Sequence, residues 1–367
     1  MNIDFANLQL QYQKYKDEID ANIHSVLNKS NYIMGDEVAS LEAALEDFTG
    51  ARNAITCSSG TDALLLALMA LDIKPGDEII TTPFTFVATA ETISLMKAKP
   101  VFVDIDYDTF NIDPAKIEAA ITNKTRAIIP VSLYGQPADM DSIQEIADNH
   151  QIKVIIDGAQ SFGSTFRSKK DSILGDISTT SFFPAKPLGA FGDGGAVFTN
   201  DDDYALKIRM IRVHGQNKRY YHKIIGIGGR LDTIQAAVLL VKLSHYSDEI
   251  ISRNEVANIY FQELNTLIKK PIIKSNRQSV WAQYTLRFKD RDLIQLKLKK
   301  YGIPTAVHYP LPLHLQECFS YLNGRKGDFP IAEQASNEVL SLPMNAFLTK
   351  KEIKFISNII NKIAVSK

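Results

Sequence analysis

A lysine lies in an apolar, turn-rich stretch, Thr180-Ser181-Phe182-Phe183-Pro184-Ala185-Lys186-Pro187-Leu188-Gly189, which runs on to Gly192-Asp193-Gly194-Gly195. An amine that forms a Schiff base needs a desolvated pocket in which its neutral form is available. Once released, the same amine can carry a proton between reacting atoms. Read alone, Lys186 fits an exposed loop lysine, which is what most lysines are. Upstream, the apolar run Val154-Ile155-Ile156 ends on Asp157, followed by Gly158-Ala159-Gln160. A carboxylate there suits a cofactor whose pyridinium nitrogen needs an anion to stay protonated. A turn or cap aspartate is the even-handed alternative. Gln160 reads as a contact to the ring hydroxyl of such a cofactor or as a loop cap. Earlier still, Cys57-Ser58-Ser59-Gly60-Thr61-Asp62-Ala63 joins a strand to a helix start, where backbone N–H groups and a hydroxyl can converge on an anion. An ordinary helix N-cap explains that run too. Ser181 is either a donor to a phosphate or a strand-end hydroxyl.

The elements that must position these residues follow from periodicity. Helices are expected over 11–29 and 37–48. Strand Asn53–Cys57, helix Asp62–Leu71, strand Glu78–Thr82, helix 85–97, strand Pro100–Asp104, helix 114–121, strand Arg126–Val131, helix 139–149 and strand Lys153–Asp157 then alternate. Alternation of this kind predicts an α/β fold with a mostly parallel central sheet covered on both faces. Two more strands, Thr179–Phe183 and Ala196–Thr199, flank the glycine-rich loop. From about residue 245 the rhythm changes to a long helix (247–268), strand Gln283–Phe288, helix 290–301, a Pro/His loop and two closing helices. The division expected is a large domain over 1–245 and a smaller C-terminal α+β domain over 246–367. In open α/β sheets ligands bind at the carboxyl ends of strands. That rule singles out Ser59-Gly60-Thr61, Phe84-Thr85, Tyr134-Gly135, Asp157 and the Lys186 loop.

Composition narrows the class. The 367 residues are 45% apolar and 23% charged, with 41 basic against 42 acidic side chains. No basic excess exists to neutralise a nucleic-acid backbone, so an anionic ligand must be held locally. Two cysteines, Cys57 and Cys318, exclude a disulfide framework and fit a reducing cytoplasm. The start Met1-Asn2-Ile3-Asp4-Phe5 lacks a signal-peptide pattern, and the longest apolar run, Ala63 to Leu71, is too short for a membrane span. A cytoplasmic protein is expected, with no membrane partner. No His/Cys grouping has metal-ligand spacing.

Taken together and in this order, the segments resemble the DegT/DnrJ/StrS family of sugar aminotransferases, which have the type I fold of pyridoxal-5'-phosphate (PLP) enzymes. The resemblance runs from Tyr32-Ile33-Met34-Gly35 to Ser341-Leu342-Pro343-Met344. It includes Ser58-Ser59-Gly60-Thr61-Asp62-Ala63-Leu64, Pro83-Phe84-Thr85-Phe86, Asp157-Gly158-Ala159-Gln160 and Ser181-Phe182-Phe183-Pro184-Ala185-Lys186. It implies that Lys186 holds PLP as a Schiff base and that Asp157 faces the pyridine nitrogen. Gly60, Thr61 and Ser181 would bind the phosphate, Phe84 would lie against the ring, and Gln160 near its hydroxyl. Some relatives are dehydratases with histidine at the lysine position; Lys186 favours transamination from L-glutamate. Many relatives carry an asparagine where this chain has Gly228, reaching the phosphate across a dimer interface, so that contact must be absent or replaced here. A homodimer with shared active sites is implied, with His214 to Arg230 as the donor segment.

Two stretches, Pro184 to Gly189 and His214-Gly215-Gln216…Gly226-Ile227-Gly228-Gly229-Arg230, look like enzymes that aminate C3 of a UDP-linked 2-acetamido-3-oxo-glucuronic acid for bacterial surface polysaccharide. A uronate carboxylate needs a fixed cation, and Arg230 can supply one; an interface role for Arg230 is equally open. His308 and Tyr309, in the Val307–His314 loop, are expected on the substrate side by resemblance, since a loop histidine alone would be read as solvated. The alternatives are a dTDP- or GDP-linked keto-sugar substrate and a non-catalytic regulator of the same fold. Gly226-Ile227-Gly228-Gly229 does not follow a clear strand, so a nicotinamide site has little support.

Overall fold

A computed structural model describes residues 3–365; Met1 and Asn2 of the start considered above lie outside the described residues. The chain opens with α1 (Leu8–Lys29) and α2 (Asp36–Thr49), then β1 (Asn53–Cys57), α3 (Gly60–Ala70), β2 (Glu78–Thr81), α4 (Ala88–Leu95), β3 (Lys99–Phe102) and β4 (Thr125–Ile128). It continues through α5 (Met140–His150), β5 (Lys153–Asp157), β6 (Ile177–Ser181), β7 (Gly195–Thr199), α6 (Asp202–Ile211) and α7 (Thr233–Ser244). Helix α8 (Tyr246–Glu263) leads to β8 (Tyr284–Arg287), α9 (Arg291–Lys300), α10 (Pro330–Glu338), β9 (Val339–Leu342) and α11 (Lys350–Val365). Strands β1 to β7 form one sheet in the order β1-β7-β6-β5-β4-β2-β3. All pairs are parallel except those made by β7, which runs against both β1 and β6. The fold is α/β with a mostly parallel central sheet, and β8 pairs with β9 in a separate two-stranded sheet.

Side-chain alternation along the strands builds a layer on each face. Ile55, Cys57 and Val197 pack with Ala63, Leu66, Ala67 and Ile208 of α3 and α6. Ala54, Ala196 and Phe198 pack the other way, with Leu41 and Leu45 of α2 and Ala236 and Leu239 of α7. A third cluster joins Tyr260, Tyr284, Leu340 and Ile356 from the C-terminal elements, and Ile3 belongs to it. No helix among the described residues is long and apolar enough to cross a membrane.

Several expectations shift. The helix expected over 114–121 is two 3-10 turns, Pro114–Lys116 and Glu118–Ala120; Ile117 is fully buried in the core, and Ala120 and Ile121 pack against it only in part. Strand Thr179–Phe183 ends at Ser181, which leaves Phe182 and Phe183 in the loop that carries Lys186. Helix 85–97 begins three residues later, so Phe84 to Phe86 remain loop. Two helices went unread. Asp201 caps α6 by accepting from the N–H groups of Asp203 and Tyr204. Helix α7 is buried on most sides and shows no polar face to reveal a period.

Beside β1, a buried network ties α2 to α6. Arg212 donates to Glu42 and to the Thr56 carbonyl (2.8 Å), Arg209 donates to Glu42 (2.8 Å), and the Thr56 N–H and hydroxyl both donate to Glu42 at 2.9 Å. Burial raises the Glu42 pKa, but Arg212 and the Thr56 N–H outweigh it and hold the carboxyl below its usual range. Stability from this network is therefore present above the ordinary carboxylate range and lost as pH falls through the depressed value. Arg212→Ala is expected to cost about 3 kcal/mol in denaturant unfolding at pH 7, since a buried carboxylate loses one of its two cations. A change under about 0.5 kcal/mol, the surface range, would show that the network does not support this edge.

Candidate active site

The strand ends bring the chemistry together at one edge of the sheet. Strand β1 ends at Cys57, and α3 starts two residues beyond Ser58. Ser59 caps α3, its hydroxyl accepting from the Asp62 N–H at 3.0 Å. Gly60 and Thr61 are then the first helical residues, whose N–H groups have no partner within the helix. Ser181, the last residue of β6, stands directly opposite: a Cβ added at Gly60 would lie 2.6 Å from the Ser181 Cβ. Strand β7 enters the same edge at Gly195, where a Cβ would meet the Ser59 carbonyl oxygen at 2.4 Å. The two glycines let a strand end, a helix start and a hydroxyl close to contact distance. The helix N-terminus and these donors form a ready anion cradle.

Asp157 closes β5. It is 5% exposed, and its carboxylate accepts from the Thr89 hydroxyl (2.7 Å) and the Ala159 N–H (3.1 Å). The Thr89 hydroxyl is in turn 3.0 Å from that of Thr85. No ion pair reaches Asp157 among the described residues. A buried carboxylate with two neutral donors and no paired cation is an unfinished site, to which a positively charged ring nitrogen is a fitting partner.

Lys186 sits in a loop folded tightly on itself. Its N–H donates to the Phe183 carbonyl (2.8 Å), the Ala190 N–H to the Phe182 carbonyl (2.7 Å), and a Cβ at Gly189 would lie 2.4 Å from the Pro184 oxygen. The Lys186 side chain is half-buried and has no hydrogen-bond partner among the described residues. Burial lowers its pKa, with the Asp157 charge opposing. Burial of this kind favours the neutral, nucleophilic form of the amine.

Tyr309 and His308 complete the surroundings. The Gln160 amide donates to the Tyr309 hydroxyl (3.1 Å), and its oxygen accepts the Tyr134 N–H (2.8 Å). Tyr134 donates its hydroxyl to the His308 carbonyl, and His308 Nδ1 is 3.0 Å from the Ser341 hydroxyl. Burial, then Lys186, pushes the His308 imidazole down to about 4, so it is neutral at pH 7. Burial and next the Asp157 charge raise the Tyr309 phenol above its usual range. The Tyr309 ring lies 6.3 Å from Phe84 and 6.2 Å from Phe86.

Lys186, Asp157, Gln160, His308 and Tyr309 thus gather together, with Gly60, Thr61 and Ser181 at the same sheet edge. Phe84, expected against the cofactor ring, is enclosed in this structure. It has no exposed surface and packs against Phe110 at 6.0 Å, whereas Phe86 is 54% exposed. Beyond the end of β2, Thr82 to Thr85 are all buried and exposure returns only at Phe86. Gly228 and Arg230 line an open cleft with Ser58, Ser59 and Asp62. Arg230 has no hydrogen bond or ion pair among the described residues. A Cβ at Gly228 would lie 3.1 Å from His214 Nε2, so that imidazole fills the space beside it. Thr89 carried no signal in the sequence, Ser341 was marked only as part of the last resembling segment, and Tyr134 only by its place after a strand.

The donor set fits PLP: an anion cradle, a carboxylate without a cation and a desolvated amine. A profile of the DegT/DnrJ/EryC1/StrS aminotransferase family matches residues 13–361. The chain belongs to this family. It is 51% identical over 355 residues to the UDP-2-acetamido-2-deoxy-3-oxo-D-glucuronate aminotransferase of Pseudomonas aeruginosa, covering 96% of this chain and 98% of that one. It is 47% identical to the pleiotropic regulatory protein of Geobacillus stearothermophilus, covering 99% and 98%. The crystal structure of a DegT DnrJ EryC1 StrS aminotransferase from Brucella abortus superposes with a TM-score of 0.97 at 38% identity, covering 100% of both chains. With the fold and the site, these similarities establish a PLP-dependent sugar aminotransferase.

Proposed function

We propose that this aminotransferase moves the amino group of L-glutamate to C3 of a UDP-linked 2-acetamido-2-deoxy-3-oxo-glucuronic acid, releasing 2-oxoglutarate. The observation that carries the catalytic reading is an amine and a carboxylate, Lys186 and Asp157, brought to one sheet edge with no ion pair to either among the described residues. The similarity to the P. aeruginosa enzyme supports the sugar. Products of this kind suit bacterial surface polysaccharide, and the expected setting is the cytoplasm.

When bound, PLP supplies an aldehyde that condenses with amines and a ring that withdraws electrons from the carbon bearing nitrogen. The chain's residues do the rest. The Lys186 amine takes the proton from the amino-acid α-carbon and delivers one to C3 of the sugar. Asp157, fixed by Thr89 and Ala159, holds a proton on the ring nitrogen. Gly60 and Thr61 N–H groups and the Ser181 hydroxyl grip the phosphate. Phe86 takes the ring-facing role first expected of Phe84. Tyr309 and neutral His308 face the sugar, and Gln160 orients Tyr309. Residues 1–245 act as the cofactor-binding domain and 246–367 as the smaller domain that brings the His308–Tyr309 loop over it. In a homodimer with shared sites, His214 to Arg230 would reach the neighbouring site, with Arg230 binding the uronate carboxylate.

The test is release of 2-oxoglutarate from L-glutamate with a panel of keto-sugar nucleotides. The uronate is expected to be preferred over UDP-N-acetyl-3-dehydro-glucosamine, which lacks the carboxylate, and over dTDP- and GDP-linked 4-keto sugars. Arg230→Met should erase the first preference by roughly 10–100-fold in kcat/KM, the worth of a hydrogen bond to a charged group. Equal use of both UDP sugars would remove the uronate. No 2-oxoglutarate with any sugar of the panel would remove the C3 reading altogether.

A further inference from the structure

Beneath the Lys186 loop lies a charged group that the chemistry above leaves unused. Lys242, near the end of α7, is 2% exposed, and its ammonium donates to the Gly189 carbonyl. Gly189 is the residue that packs against the Pro184 oxygen and closes the turn around Lys186. The same helix holds the next part of the loop, since the Gln235 amide oxygen accepts the Phe191 N–H at 2.8 Å. The Phe191 ring lies 5.5 Å from the Lys242 nitrogen. Two charges of α8 face Lys242, attractive Glu249 and repulsive Arg253, both buried. Glu249 is held from α1 by the Gln11 amide at 2.9 and 3.0 Å, with the Tyr15 hydroxyl beside it. Lys242 thus has no ion pair within contact distance among the described residues, and its nearest polar partner is a loop carbonyl. An ammonium is expensive to bury for packing alone. A charge-assisted bond to a carbonyl is about twice as strong as a neutral one, which suits a clasp.

We propose that Lys242 is a positioning residue for Lys186: its buried ammonium clasps the Gly189 carbonyl and so fixes the turn from which the reactive amine projects. The inference rests on Lys186 being the residue that links to PLP. Burial pushes the Lys242 ammonium down to about 8, with Glu249 opposing and Arg253 reinforcing. The clasp is charged below that pH and weakens above it, while Lys186 itself only gains neutral amine as pH rises. The two trends run in opposite directions and separate the residues.

The experiment follows the rate at which the full-length protein, stripped of cofactor, forms its covalent link with added PLP from pH 6.5 to 9.5. The link is read by the visible absorbance band and by borohydride trapping with mass spectrometry. The wild-type rate is expected to peak near pH 8 and then fall. Lys242→Arg keeps its charge and should continue to rise. Lys242→Met should be about tenfold slower at pH 7.5 and rise steadily, with circular dichroism unchanged. A Lys242→Met variant with the wild-type rate and profile overturns the clasp. If that variant does not fold, wild type and Lys242→Arg rising together through pH 8 overturn it equally. Absence of any link in the wild type would instead sink the role of Lys186.

Discussion

Replacing Lys186 by alanine is expected to lower turnover by at least about 10⁴-fold, while PLP still binds without a covalent link. Proton transfer by a positioned side chain contributes roughly 10²–10⁴-fold, and here one amine would serve both ends of the transfer. Water is a poor substitute in a half-buried loop. The fold should be spared. The Lys186 side chain makes no hydrogen bond or ion pair among the described residues, and its burial disfavours the charged form. The loop is instead held by the backbone bonds from Lys186 to Phe183 and from Ala190 to Phe182, which alanine retains. A change in unfolding free energy within about 0.5 kcal/mol is therefore expected. The decisive pair of measurements is steady-state 2-oxoglutarate release and the intact mass after borohydride treatment. Turnover within tenfold of wild type, or an unchanged covalent adduct, would place the reactive amine elsewhere.

Much of this edge is legible in the sequence, for local reasons. An apolar run that ends on Asp157, or a small-residue turn between Cys57 and Ala63, carries its geometry in adjacent residues. The elements around them follow from period and punctuation. What was not legible depends on distant partners. Thr89 reaches Asp157 across 68 residues and Tyr134 reaches His308 across 174. No sequence pattern in a single chain announces such a contact. Phe84 and Phe86 were separable only by burial, since two phenylalanines on either side of a threonine look alike in a sequence. Helix α7 hid because Ala236, Ala237, Val238 and Leu239 are all buried, and a helix covered on most sides loses the stripe that would betray it. Lys242, within that apolar helix, was invisible as a clasp because its partner is a backbone carbonyl.

Asp157→Asn should reduce kcat/KM by roughly 10²–10⁴-fold. Removing one member of a buried charge pair costs about 3–5 kcal/mol, and each 1.36 kcal/mol in the barrier is tenfold in rate. On the proposed function the pair would be the carboxylate and the protonated ring nitrogen of bound PLP, a proton that the amide could not sustain. A second cost is local. Thr89 and Ala159 both donate to the carboxylate, whereas asparagine has a single acceptor oxygen. One donor is left unmet, which should lower stability by about 1–3 kcal/mol. The two effects are distinguished by Thr89→Val, which removes a donor but leaves the charge. That variant should lose a modest part of the rate and keep the covalent link to Lys186. Asp157→Asn should keep the link and lose the rate of proton removal from L-glutamate, seen in a single-turnover assay. If both variants lost the rate equally, the hydrogen-bond frame and not the charge would be the catalytic element. If Asp157→Asn stayed within tenfold of wild type, this carboxylate would not be the partner of the ring nitrogen.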